Sequence, residues 1–94
     1  MTVATLPKLH DATLLTVRSD WERKTVEIEI RAPGGAFTLV WEDVVECSYT
    51  HRETWGPSVS ILGGQLVAEG RFEFEIQSGD TLVVVGTGPR VADA

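Results

Sequence analysis

The sequence predicts a mainly β protein, a single antiparallel and strongly curled sheet, or a small sandwich or partial barrel, of six to seven strands with one short helix. Three observations predict it. Apolar and polar residues alternate with period two in several segments, turn residues punctuate those segments, and the connections between them are two to six residues long. Parallel strands need crossovers of a dozen residues or more, so a doubly wound α/β fold is excluded and neighbouring strands pair antiparallel.

The elements follow in chain order. Residues 13–18 form a strand that ends at the polar Ser19-Asp20 turn. In Thr25-Val26-Glu27-Ile28-Glu29-Ile30-Arg31 the apolar residues alternate with polar ones, so Val26, Ile28 and Ile30 line one face and Glu27 and Glu29 the other. Pro33-Gly34-Gly35 turns the chain into a strand over 36–41, in which Trp41 shares parity with Phe37 and Leu39 and is assigned to the core. Residues 44–51 are rich in β-branched and aromatic side chains and read as a further strand. The one candidate helix covers 57–62, where Gly56 caps, Pro57 suits the first helical position and Gly63-Gly64 stops it. A short strand at 65–69 precedes a hairpin, in which Phe72, Phe74 and Ile76 point inward, Ser78-Gly79-Asp80 supplies the turn, and 81–85 returns. The ordered core spans about residues 9–86, and the tail at 89–94 is expected to fray.

Ninety-four residues, 43 % hydrophobic and 23 % charged, suit one folded domain, residues 1–94, rather than a disordered chain. Eight Lys and Arg against fourteen Asp and Glu give a net charge of −6, which argues against nucleic acid, whose phosphates need a dense cationic surface. A single cysteine, Cys47, fits a reducing compartment. No apolar run reaches the roughly 20 residues of a membrane helix, and the first seven residues lack a basic start and a long apolar body. The expectation is a cytoplasmic protein that engages neither membrane nor nucleic acid.

The residues that carry chemistry are few. Two histidines, His10 and His51, leave any zinc site to be completed by carboxylates, and no metal or cofactor is expected. In an extended chain His10 and Asp11 point to opposite faces and cannot pair, and a polar residue at a strand start or a turn cap is the simpler role for them. A Ser-His-Asp hydrolase can be drawn from Ser58 or Ser60, His51 or His10, and Asp11. However, Gly56-Pro57-Ser58-Val59-Ser60 lacks the second glycine of a nucleophile elbow and the long helix that follows one. Gly86-Thr87-Gly88 follows a strand but opens no helix, so it lacks the helix terminus that cradles a phosphate.

Two features point to binding instead. Glu27, Glu29, Glu73 and Glu75 lie on outward strand faces, with Glu42, Asp43 and Glu46 near a third strand. Together they form either a surface that attracts a basic partner or a solvated face that deters edge pairing. The second feature is the loop His51-Arg52-Glu53-Thr54-Trp55-Gly56-Pro57-Ser58, which combines the tryptophan and arginine of an interface anchor with two backbone punctuators. Trp55 either meets a partner or folds back over one end of the sheet. Trp21, beside Asp20 and Glu22 at a turn, is expected to be partly exposed.

Leu9-His10-Asp11-Ala12-Thr13-Leu14, Asp20-Trp21, Trp55-Gly56-Pro57-Ser58-Val59-Ser60-Ile61 and Ile76-Gln77-Ser78-Gly79-Asp80 resemble small bacterial domains of uncharacterised function with a His-Asp-Ala opening. Some similar domains are predicted immunity proteins of bacterial toxin systems. The resemblance covers roughly residues 9–86, implies a β-rich single domain, and brings no catalytic residue with it.

The sequence therefore favours a non-enzymatic protein-binding module, of the immunity type in one form, with a basic protein as partner. Its site residues are His51, Arg52, Trp55, Ser58 and Tyr49 together with Glu27, Glu29, Glu73 and Glu75. A small-molecule or sugar-binding domain, or a weak hydrolase, that uses a concave face near Trp55, His51, Arg52 and Tyr49 is the alternative. Self-association through a sheet edge is a third.

Overall fold

Six strands form one antiparallel sheet in the computed structural model, which describes residues 9–92. They are β1 (Thr13–Asp20), β2 (Thr25–Ala32), β3 (Gly35–Tyr49), β4 (Ile61–Ala68), β5 (Arg71–Ile76) and β6 (Thr81–Ala92). Their spatial order is β1-β2-β3-β6-β5-β4. Strands β1 to β3 are a meander. The chain then leaves β3, crosses to the far edge, and returns through β4, β5 and β6 until β6 pairs with β3, a Greek-key arrangement. That crossing is made by residues 50–60, longer than the connections the sequence suggests, and it passes the turn that joins β5 to β6.

The alternating segments bury their apolar sides as predicted. Val26, Ile28, Ile30, Leu39, Trp41, Ile61, Phe74 and Val84 are fully enclosed, and Phe72, Ile76 and Leu82 nearly so. Each such side chain contributes roughly 1.5–3 kcal/mol through its removal from water. Trp41, Phe72 and Phe74 form the centre of this core, with Trp41 meeting both phenyl rings edge-on at centroid separations of 5.8 and 6.1 Å. Leu9 closes one end by lying against Gly64, where any side chain would collide with its Cδ1.

Several expectations are corrected. No helix forms at 57–62. Ser60 bridges to Thr13, Ile61 exchanges backbone hydrogen bonds with Asp11 and Ala12, and the buried side chain of Ile61 gains more from the core than an exposed helical turn would return. The sheet is open and not strongly curled, so neither a sandwich nor a barrel is made. The start of β1 meets the residues just before β4, through the Thr13–Ser60 bridge and the Leu14 N–H bond to Val59 O, and the two edge strands are not paired along their length. Residues 36–41 and 44–51, read as two strands, fall in the single strand β3 up to Tyr49, with 50–51 already in the crossing connection; β3 bends where its pairing with β6 shifts between Val40 and Glu46 and where Asp43 adopts φ 51°. Gly86 lets the chains approach at that bend, since a side chain there would lie 2.9 Å from the Glu42 carbonyl oxygen. Residues 89–92, expected to fray, pair with β3 through Arg90, Val91 and Ala92, and 93–94 lie outside the described residues. Among the described residues there is no helix long and apolar enough to cross a membrane.

Candidate functional site

The site is built at the end of the sheet where residues 50–60 pass over the β5–β6 turn. That turn is tight because Gly79 N–H donates to Ile76 O at 2.9 Å and Ile76 N–H to Asp80 O at 2.9 Å, with Gly79 at φ +93°. This is the pattern of a short hairpin loop that needs a left-handed residue at its third position, and glycine supplies it without a steric penalty. The turn also buries Ser78 and Asp80, the two buried polar residues of the described chain.

Asp80 holds the crossing loop. Its Oδ1 accepts from the Thr50 hydroxyl at 2.7 Å and the Arg52 N–H at 2.7 Å. Its Oδ2 accepts from the Glu53 N–H at 2.9 Å and the Ser78 hydroxyl at 2.7 Å. These donors, led by the Ser78 hydroxyl, hold the carboxyl well below the ordinary carboxylate range, because every one of them favours the ionised form. Burial opposes the shift and loses. Thr50 adds a pair of bonds to Thr81, and Trp55 N–H donates to Ser78 O at 2.8 Å. The loop is therefore fixed to the turn and to the first residue of β6.

Trp55 is carried on this frame. Its indole lies across Gly79, where a side chain would overlap both Cδ1 and Nε1, yet 79 % of the residue remains exposed. Trp55 thus folds back onto the turn and still presents most of its surface to water. Arg52 and His51 are exposed beside it, and His51 Nε2 lies 3.3 Å from Glu53 Oε1. Ser58 donates to Gln77 Oε1 at 3.2 Å and accepts from Ser60 N–H at 3.1 Å.

Next to the loop is a mostly apolar groove of about 290 Å³ between β1 and the start of β6. Tyr49, His51, Ser58 and Val59 line it together with Leu14 and Val17 of β1, and Leu14 N–H donates to Val59 O at 2.8 Å. The groove thus gathers three of the predicted residues, Tyr49, His51 and Ser58, while Trp55 and Arg52 stand outside it on the same loop. Concavities of about 660 and 680 Å³ at the β2–β3 and β1–β2 turns are shallower.

The glutamates do not join this site or each other. Glu27 is opposite Val40, whereas Glu73 is opposite Val83, which pairs with Ser48. Val40 and Ser48 stand on either side of the bend in β3, at most roughly 26 Å apart along the strand. Glu27 is paired with Arg18 at 3.3 Å and Glu73 with Arg71 at 2.9 Å, and Glu29 accepts from Thr16 at 3.4 Å. They form two separate acidic strips on the solvent face.

His10 and Asp11 correct another expectation. The chain is turned there, not extended, with Asp11 at φ 67°, so the two side chains come within 3.5 Å, and His10 Nδ1 bonds to the Leu62 carbonyl at 2.8 Å. Both are exposed, and no group of three metal-ligating side chains occurs among the described residues. Cys47 is half-buried, and burial pushes its thiol up from the ordinary value.

Sequence reasoning assigned Asp80 to a turn and missed its role as the anchor of the loop. Ser78 is a local donor, but the other three, from Thr50, Arg52 and Glu53, lie 27 to 30 residues earlier, so no local pattern announces the loop that Asp80 holds. Comparison of the chain with protein-family models, curated proteins and solved structures finds no match.

Proposed function

We propose that the protein is a non-enzymatic protein-binding module whose contact surface is the 50–60 loop with its adjoining groove. The observation that carries this reading is Trp55, which is exposed to water over most of its surface while its backbone and indole are fixed on the β5–β6 turn. An aromatic anchor already held in place loses little conformational freedom on association, so more of its burial energy appears as affinity. Arg52 beside it supplies a donor fork suited to a carboxylate or carbonyl of the partner. A hydrolytic reading is less well supported, because the Ser58 hydroxyl is committed to Gln77 and His51 faces Glu53.

The biological form this reading takes is an immunity-type inhibitor of a bacterial toxin, and a net charge of −6 suits a basic partner that is steered in by long-range attraction. The test is an affinity column of the wild-type chain beside one of the Trp55→Ala, Arg52→Ala double variant, both loaded with bacterial lysate. A basic protein retained at low salt by the first column only, and released by high salt, supports the proposal. Equal retention on both columns, or none on either, overturns it.

The groove favours a second reading, a small apolar ligand seated between Leu14, Val17 and Val59 and oriented by Tyr49 and His51. A metabolite panel that leaves both tryptophan emission and melting temperature unmoved would end it.

A further inference from the structure

The two edges of the sheet are defended differently. At the β1 edge the pairing slips at Leu15, and Arg18, Ser19 and Asp20 are exposed beyond it, which is the usual protection against a foreign strand. The β4 edge has neither charge nor proline from Leu62 to Ala68, and Leu62, Leu66 and Val67 are exposed. Among the described residues its contacts to residues 9–12 gather near its start: Ile61 bonds Asp11 and Ala12, Leu62 O takes His10, and Leu9 lies against Gly64. Between its irregularities at Leu62 and Val67, Gly63-Gly64-Gln65-Leu66 pairs with β5 on one side and, among the described residues, with nothing on the other. Such an edge displays backbone N–H and C=O groups to any extended chain that can dock.

The side chains around this edge specify what docks. On the inner face Leu9 already fills the space above Gly64. On the outer face Gly63 leaves open space, and the result is a groove of about 220 Å³ whose lining includes Gly63, Gln65, Glu73 and Glu75. Glu75 is opposite Gly63 and Glu73 is opposite Gln65. A strand added beside β4 would lie two strand spacings from β5, roughly 9.6 Å, and its outward side chains would cross the glycine gap toward those carboxylates. Glu73 is partly occupied by Arg71, whereas Glu75 is exposed and has no cationic partner among the described residues.

We infer that the β4 edge is a strand-addition site for an extended protein segment with Lys or Arg at alternate positions. A second copy of the chain suits it less well. Pairing two β4 strands would bring together two molecules of charge −6 with their glutamate strips about three strand spacings, roughly 14 Å, apart and of like sign.

The test uses a capped seven-residue peptide that alternates lysine and valine, and its glutamate counterpart, with amide exchange and chemical shifts read residue by residue. The lysine peptide should slow exchange and move signals at residues 63–66, bind more weakly as salt rises, and bind roughly fivefold more weakly to Glu75→Lys. The glutamate peptide should bind that variant better than it binds the wild type. Trp55→Ala should leave these results unchanged, which separates this edge from the loop. Absence of protection at 63–66, signals that move only at 51–58, or a doubled mass in sedimentation with 63–66 protected before any peptide is added would each overturn the inference.

Discussion

Two tryptophans project from two turns at different places on the sheet, and only one is held. Trp21 is 94 % exposed in the 21–24 turn between β1 and β2, where the single side-chain tether is Arg23 N–H donating to Asp20 Oδ1 at 3.0 Å. Trp55 is 79 % exposed on a loop whose backbone is bound at Arg52, Glu53 and Trp55, and whose indole rests on Gly79. Exposure alone therefore does not distinguish an anchor from an ordinary surface side chain. What distinguishes it is a buried carboxylate behind the loop, a costly group that folding retains only when all its partners are present.

The largest effect expected from breaking this comparison comes from Asp80→Asn set against Asp20→Asn. Each oxygen of Asp80 receives one hydroxyl and one backbone N–H, so an amide placed either way round points its NH2 at a backbone donor that cannot turn aside. Asp80→Asn should lower the melting temperature clearly more than Asp20→Asn and abolish exchange protection at Arg52 and Glu53. The same carboxylate sets an acid limit. Its folded pKa is depressed, so its stabilisation is complete above the unfolded value near 3.9 and drains away as pH falls below it. Wild type should lose stability more steeply than Asp80→Asn between about pH 4 and 2, and parallel curves would contradict the assignment.

A smaller effect should follow from the glycine beneath Trp55. Gly79→Ala forces an L residue to φ +93° and drives a methyl group into the indole, whereas Gly34→Ala in the β2–β3 turn meets nothing within 4 Å. The first should cost about 1–2 kcal/mol and alter Trp55 emission, and the second less than about 0.5 kcal/mol. Equal melting temperatures for the two variants would mean that the indole does not rest on the turn.

The same contrast explains what was legible in the sequence. The alternation in β2 and β5 reports directly which side chains are buried, so Val26, Ile28, Ile30, Phe72, Phe74 and Ile76 were placed correctly, and Trp41 by parity with Leu39. The loop stands out because it breaks that alternation, and its His51 and Ser58 line one groove with Tyr49 of β3. Capping residues at 56–64 described a helix that the pairing of Ser60 and Ile61 with residues 11–13 overrides, since tertiary burial outweighs propensity in a segment this short. The convergence of glutamates failed for a related reason. Parity assigns a face, but register along β3 assigns position, and register came from bulges with no sequence mark. Asp80 belongs to the same class, because its meaning lies in a crossing connection that only topology creates.

The smallest effect sharpens the comparison without disturbing the fold. Trp21→Phe and Trp55→Phe each change an exposed ring, so stability should move by no more than about 0.5 kcal/mol in either case. Mobility should differ. Nanosecond fluorescence anisotropy of the wild type should contain a fast component from Trp21, on the side-chain timescale of exposed residues, above the slow tumbling shared by Trp55 and the buried Trp41. Trp21→Phe should remove that fast component and Trp55→Phe should leave it. If the fast component instead disappears with Trp55, the ring is not preorganised by the turn beneath it, and the entropic advantage that makes it an anchor is lost even though the Asp80 bonds remain.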